Sequence, residues 1–161
     1  MPTASAGVVM YRRTPDGPQV LLVHPGGPYW RNKDAGAWSI PKGEMRHGEK
    51  PEDVARREFA EELGLALTGA LEPLGEIRQA SGKHVHAFAI EGDLDASMAK
   101  SNTFELEWPP NSGRMKTFPE IDRADWFGLA EARAKLLASQ APLLDRLARL
   151  LEGPGAAGPR D

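Results

Sequence analysis

Three glutamates at helical spacing are the residues of this sequence best suited to chemistry. Glu58, Glu61 and Glu62 stand at i, i+3 and i+4, so a rotation of about 100° per residue brings their carboxylates into one sector of a helix. Three like charges in one sector repel one another unless a cation neutralises them. Carboxylate oxygens are ligands that Mg²⁺ and Mn²⁺ prefer, and such ions bind phosphate oxygens directly. The pattern therefore indicates metal-assisted hydrolysis at phosphorus.

A Glu-rich helix taken alone is more often a solvated face than a site, and the preceding segment decides between the two interpretations. From Gly43 the chain reads GEMRHGEKPEDVARREFAEELGL. This segment resembles the signature box of the Nudix hydrolases, with Phe59 where a smaller aliphatic residue is more usual. Its fixed positions are Gly43, Glu49, Arg57, Glu58, Glu61, Glu62 and Gly64. A chance match of these positions and the two apolar ones has odds of about one in ten million for a chain of this length.

The resemblance implies a fold, a reaction and roles for the residues of the box. The implied fold is an α/β/α sandwich with a mixed central sheet, and the implied reaction is Mg²⁺-dependent hydrolysis of a nucleoside diphosphate linked to another group, with Mn²⁺ as a substitute. Glu61 and Glu62 would be metal ligands, together with a backbone carbonyl around Gly43. Glu58 would be a ligand or the base that activates water. Arg57 would hold a carboxylate in place, by a fork onto Glu61 or onto Glu49.

Residues outside the box complete the predicted site. Some Nudix enzymes take a further ligand or base from a loop before the last strand, where Glu120 stands in this sequence, with Glu105 and Glu107 as weaker alternatives. The candidate phosphate contacts are cations that could equally be solvated: Lys42, Arg31, Lys33 and Lys116. The candidate base-stacking residues are aromatics for which core packing is the commoner role: Trp30, Trp38, Trp108 and Phe118. Ordinary packing on a strand is expected for His84 and His86.

The pattern of apolar and turn residues predicts the elements that position this site. Apolar runs predict strands over 5–12 and 20–24, and again over 74–79, 84–91 and 124–129. Gly and Pro predict a loop over 24–37, which carries Trp30 and two of the candidate cations, and an elaborated loop or irregular hairpin over 102–118. Helices are expected from Pro51 to Leu63, and over 131–137 and 142–151. One domain over 1–152 and a disordered tail over 153–161 complete the expectation.

Bulk composition limits the class of protein. The 161 residues suit one domain, and the absence of cysteine removes disulfides, thiolate metal sites and cysteine nucleophiles. The net charge of −3 predicts no stable nucleic acid partner. No apolar run approaches the roughly 20 residues that span a bilayer, and the first residues do not resemble a signal peptide. A cytoplasmic location is therefore expected, and the resemblance implies an enzyme with a nucleotide-type substrate.

Three functions fit these observations. The opening Ser5-Ala6-Gly7 and the segment Trp38 to Gly43 are similar to the small diadenosine polyphosphate branch of the family, which favours a dinucleoside polyphosphate as substrate. The second function is a pyrophosphatase that removes damaged nucleoside triphosphates from the nucleotide pool. The third is a nucleotide-binding module without catalysis, which the intact box disfavours.

Overall fold

A computed structural model of the chain describes residues 4–157, with side chains to residue 152. It contains eight strands and three α-helices, with single 3₁₀ turns at Ala96–Met98 and Ala138–Gln140. The strands are β1 Ala4–Thr14, β2 Gly17–Pro25, β3 Lys42–Glu44, β4 Glu72–Arg78, β5 His84–Glu91, β6 Thr103–Glu107, β7 Met115–Pro119 and β8 Ile121–Gly128. The helices are α1 Pro51–Leu63, α2 Leu129–Lys135 and α3 Pro142–Ala157.

The central sheet is mixed and runs in the order β4-β5-β1-β2-β8, with β3 paired to the first part of β1. Strands β1 and β5 pair in parallel, and the other pairs of this sheet are antiparallel. Strand β1 therefore lies in the middle of the sheet. It changes neighbours along its length, because Gly7 pairs with Lys42 of β3 whereas Tyr11 pairs with Val20 of β2.

Helices cover both faces of this sheet. On one face α1 packs through Val54, Phe59 and Leu63, and on the other α3 packs through Leu143 and Leu147. All five of these side chains are at most 1% exposed. The arrangement confirms the expected α/β/α sandwich. Among the described residues, no helix combines the length and the apolarity needed to cross a membrane.

The bounds of α1 agree with the sequence prediction at both ends. Pro51 occupies the first turn, where its missing N–H costs no hydrogen bond. Gly64 ends the helix in the left-handed conformation, with φ of 74°, and its N–H donates to the carbonyl of Ala60. A side chain at this position would be strained, because residues with a Cβ rarely adopt that conformation.

Three segments differ from their predicted form. Residues 42–44 pair with β1 as a short strand, although a loop was expected from Gly43 onward. Residues 103–119 form a regular antiparallel pair, β6 and β7, because Glu107 binds the turn between them through its two carboxylate oxygens. Helix α3 continues to Ala157 and so passes the boundary expected at residue 152. The remainder of the predicted tail, 158–161, lies outside the described residues.

Candidate active site

The first contact of the site joins β3 to α1. A Cβ added to Gly43 would lie 1.9 Å from Oε1 of Glu58, closer than any real non-bonded contact. Only a residue without a side chain therefore lets the Glu58 carboxylate rest against the backbone of β3. This explains physically why a glycine stands at the start of the box and why Glu58, at 17% side-chain exposure, is held in place.

Arg57 contacts three carboxylates, and these include both of the partners that the sequence left open, Glu49 and Glu61. It pairs with Glu49 through Nη1, lies 3.4 Å from Glu58 through Nη2 and lies 4.0 Å from Glu61 through Nε. Two hydrogen bonds lower the pKa of Glu49. The larger effect comes from the side chain of Arg57 and the smaller one from the backbone N–H of Arg46. The loop before α1 is thus fixed to the helix by an ion pair.

Glu62 is the carboxylate with the most perturbed protonation in the site. Burial, and next the charge of Glu58, raise its pKa to about 8, although the charge and the backbone N–H of Lys42 act in the opposite direction. Burial is also the first cause that raises the pKa of Glu58, followed by the charge of Glu61. Burial lowers the pKa of Lys42. An ionised Glu62 is therefore costly here unless further positive charge is added.

Glu120 lies close enough to this cluster for its charge to raise the pKa of Glu62. Its backbone is fixed between two segments, since its N–H donates to Asn102 and its carbonyl accepts from Gly26. The two alternatives differ in position. Glu107 accepts from the backbone of the β6–β7 turn, and the exposed Glu105 pairs with Thr117 in the middle of that hairpin. The geometry favours Glu120 as the further carboxylate.

The chemistry of these donors fits a hard divalent cation. Glu58, Glu62 and Glu120 offer carboxylate oxygens, and their mutual repulsion is the kind that such an ion removes. Glu61 is the most solvated carboxylate of the three on α1, at 43% exposure. Within the part of the chain that the structure describes, no three His, Asp or Glu side chains form a complete set of metal ligands. The identity of the ligands therefore stays a prediction.

A cavity of about 240 Å³ opens beside Glu62 and Lys42. Its other walls are mostly apolar, contributed by Val23, Pro25, Trp30, Ala37, Ser39, Ile40, Ile121 and Leu137. Apolar walls with a few charged groups at one end are typical of a site for an organic molecule that carries a charged group. A larger and more open depression of about 800 Å³ lies around Arg12 and Trp126, and none of the box carboxylates lines it.

The structure separates the predicted substrate contacts into two groups. Lys42 and Trp30 both line the cavity, and the ammonium of Lys33 lies 5.1 Å from the Trp30 ring centroid. Arg31 and Lys116 are exposed and are not among the residues that line it.

The other aromatic candidates also differ in role. Trp38 is 2% exposed and packs against Phe127, so it takes the core-packing role that was the commoner expectation and not the stacking role. Trp108 packs edge-on against Tyr29, and Phe118 packs against Phe104.

Three residues that bear on the site were missed from the sequence. Buried Gln140 accepts a hydrogen bond from the backbone of Ile40 and donates to Ser39, and so fixes one wall of the cavity. Lys83, in the turn before β5, lies near enough to Lys42 to lower its pKa. His24 is buried at the end of β2 and bonds to two separate segments. Only His24 gave a signal, as a polar residue that follows an apolar strand.

Comparison with known proteins shows the family of the chain, and the curated relatives include a longer protein. The NUDIX domain family matches residues 1–147. A protein named octanoyltransferase from Myxococcus xanthus is 30% identical over 138 residues, a match that covers 84% of this chain and 33% of that protein. The chain thus spans about a third of the length of the curated relative it matches.

Solved structures of similar fold include two with a nucleotide or hydrolase in their names. The Ap4A hydrolase of C. elegans, in a binary complex, is 21% identical, with a TM-score of 0.63 over 94% of this chain and 98% of that chain. The NUDIX domain of Shewanella oneidensis NrtR, complexed with ADP ribose, is 17% identical, with a TM-score of 0.62 over 94% and 89%. At these identities the likeness shows the fold.

Proposed function

Since the chain belongs to the NUDIX domain family, we propose that it hydrolyses a phosphoanhydride bond in a nucleoside diphosphate-linked substrate, with a dinucleoside polyphosphate as the leading choice. Mg²⁺ is the expected cofactor, and Mn²⁺ is expected to replace it. The site residues proposed to hold the ion are Glu58, Glu61, Glu62, Glu120 and the backbone around Gly43. The expected location is the cytoplasm.

The observation that carries this proposal is the raised pKa of Glu62 at the charged end of an apolar cavity. A carboxylate with a pKa of about 8 is unfavourable as a lone charge at neutral pH. A divalent cation with a bound phosphate chain would make its ionised form favourable. The adjoining cavity of about 240 Å³ offers Trp30 as a wall for a flat base.

The residues of the chain have separable tasks in this reaction. When bound, the metal ion neutralises the charge that develops on the phosphate oxygens. Lys42 contributes a fixed positive charge beside the phosphates. Arg57 holds the carboxylates of Glu49, Glu58 and Glu61 in position. Glu58 holds the ion or accepts the proton of the attacking water. Trp30 stacks on the base and thereby sets which bond reaches the carboxylates.

One cavity of this size favours a second candidate, the nucleoside triphosphate pyrophosphatase. A substrate with a single base needs a single apolar wall, and within the described residues Trp30 is the only aromatic side chain that lines the cavity beside Glu62. Product analysis separates the two functions. A monophosphate with pyrophosphate would identify the pyrophosphatase, whereas diadenosine tetraphosphate would give two adenine nucleotides.

The experiment is a substrate panel with Mg²⁺ and, in parallel, with Mn²⁺. The panel contains diadenosine tetraphosphate, ordinary and oxidised nucleoside triphosphates, ADP-ribose and sugar nucleotides. Fastest turnover of the dinucleotide supports the leading proposal, and turnover confined to the other compounds would refute it. Nucleotide binding without turnover in either ion would instead identify a binding module.

A further inference from the structure

His24 joins two segments that border the cavity. It stands at the end of β2 and is 2% exposed. Its Nδ1 lies 2.8 Å from Oδ1 of Asp122 on β8, and its Nε2 lies 2.6 Å from the carbonyl oxygen of Lys33 in the loop 26–37. One imidazole therefore contacts both the loop that carries Trp30 and the strand that follows Glu120.

Both partners of this ring are hydrogen-bond acceptors. A carbonyl oxygen carries no proton, and an ionised carboxylate accepts only. Each ring nitrogen of His24 lies within hydrogen-bond distance of one of these acceptors, so the imidazole is bonded on both sides. The ring of Trp38 packs edge-on at 5.2 Å and fixes the plane of the imidazole.

A second contact joins the same two segments. The N–H of Gly26 donates to the carbonyl of Glu120 at 2.9 Å. A Cβ at Gly26 would lie 2.0 Å from the carbonyl oxygen of Pro119, so the two backbones meet at a distance that only glycine permits. The start of the loop is thus fixed beside Glu120, and His24 fixes the far side of the same loop at Lys33.

We propose that His24 is a positioning residue, a clamp bonded through both ring nitrogens that holds the Trp30 wall and the Glu120 segment together as one unit. It does not line the cavity. Lys33 lies one short turn after Trp30, since its N–H donates to the Trp30 carbonyl. Loss of the clamp should therefore displace the wall for the base and the Glu120 carboxylate together. The consequence for catalysis rests on the proposed function, whereas the clamp itself does not.

The first test observes the ring nitrogens directly. Nitrogen-labelled histidine spectra should show both ring nitrogens of His24 hydrogen-bonded, with the signals identified by their loss in His24→Phe. In Asp122→Ala the Nδ1 signal should shift, whereas the hydrogen bond of Nε2 to the carbonyl of Lys33 should remain. A ring nitrogen of His24 without a hydrogen bond in the unaltered protein would overturn the proposal.

The second test measures the two segments by amide hydrogen exchange. His24→Phe should raise exchange over 26–37 and over 119–123 together, whereas Asp122→Ala should raise it mainly over 119–123. Leu147→Ala, a fully buried change in α3, is the control for general loss of stability and should spare both segments. Unchanged protection of both segments in His24→Phe, or a response confined to one of them, would contradict the clamp.

The third test links the clamp to turnover of diadenosine tetraphosphate. Loss of a residue that orients site groups should raise KM by about tenfold or more in His24→Phe, with a smaller fall in kcat. Leu147→Ala should leave both constants unchanged below its unfolding temperature. A matching KM in the two variants would exclude a positioning role. If the protein does not cleave this compound at all, the spectra and the exchange data still decide the clamp, while the proposed function fails separately.

Discussion

Helix α1 presents its carboxylates from one continuous segment, whereas the walls of the adjoining cavity come from segments far apart in the chain. Gly43 through Gly64 supplies the glycine contact, the arginine and the glutamates. The cavity walls depend on pairs such as Ser39 with Gln140, which are 101 residues apart. The carboxylate cluster is thus encoded locally, whereas the cavity walls, which are the proposed contact surface for the substrate, are encoded by tertiary contacts.

The two regions also differ in how well their polar groups are satisfied. Behind the cavity walls, Gln140 bonds through both its side-chain oxygen and its side-chain nitrogen, and His24 bonds through both ring nitrogens. On α1, like charges face one another and the pKa of Glu62 is raised to about 8. We therefore expect the helix region to gain stability when a cation is added and the wall region to be stable without one.

The largest expected effect on turnover comes from replacing one carboxylate of α1 with a neutral amide. In Glu62→Gln, turnover should fall by about three orders of magnitude, because a proposed metal ligand is lost while the side-chain volume is kept. The free energy of unfolding without metal should rise, because a buried carboxyl that must either carry a charge beside Glu58 or take up a proton is replaced by a neutral amide. Steady-state kinetics with Mg²⁺ and urea unfolding with a chelator measure the two effects.

The matched control is Glu52→Gln on the same helix. Glu52 is half exposed and pairs at 3.4 Å with Arg56, away from the carboxylate cluster. This variant should leave both turnover and metal-free stability nearly unchanged. Equal kinetic effects from the two substitutions, or near-normal turnover in Glu62→Gln, would refute the division between a charged site and a solvated face.

The second prediction concerns the dependence of metal-free stability on pH. The unfolded chain releases the Glu62 proton near pH 4.3, whereas the folded protein keeps it until about pH 8. The folded state therefore binds more protons between these values, so the free energy of unfolding should fall as pH rises through this window. The fall should amount to a few kcal/mol. Urea unfolding across the window in a chelating buffer measures it.

Glu62→Gln provides the comparison for this pH dependence. The variant cannot titrate at residue 62, so most of the slope should disappear, with a smaller part left from Glu58, whose pKa is also raised. A slope that persists in full would assign the effect to other groups. Added Mg²⁺ should flatten the slope in the unaltered protein, because a bound cation favours the ionised carboxylate.

Sequence reasoning recovered the helix region because its determinants are local. Pro51 and Gly64 set the ends of α1, and the spacing of Glu58 and Glu62 follows from helical geometry. The walls could not be derived in the same way. Gln140 gives no local signal of its bond to Ile40, and the burial of Trp38 depends on packing against Phe127, which follows 89 positions later. Contacts of this kind are set by how the sheet and helices assemble.

The third prediction tests the wall region. Trp30→Ala should raise KM by about tenfold to a hundredfold with little change in kcat, because stacking of one base contributes about 1 to 3 kcal/mol. Trp108→Ala is the matched control, since Trp108 packs against Tyr29 and does not line the cavity. Initial-rate kinetics on the best substrate of the panel measure both constants. A fall in kcat without a change in KM would show that Trp30 acts on the chemical step instead.

The smallest effect is expected where the hairpin β6–β7 meets the walls. Glu107→Ala removes two hydrogen bonds to the turn, at 3.1 and 3.0 Å, and should destabilise the hairpin by about 1 kcal/mol because the acceptors are partly solvated. Phe104 of β6 lies against Gly27, so a looser hairpin should change KM only slightly through the Trp30 loop. Hydrogen exchange over 103–119 and initial rates measure these effects.

Glu105→Ala, an exposed change on the same strand, is the control for this last prediction and should leave exchange in the turn unaltered. The comparison between the helix region and the wall region also predicts that one kinetic constant, kcat, does not change in Glu107→Ala. The contacts of Glu107 are to the turn of the hairpin β6–β7, so kcat should be unaffected in Glu107→Ala. A loss of kcat as large as that of Glu62→Gln would place Glu107 with the carboxylates of α1 and would remove Glu120 from its proposed role.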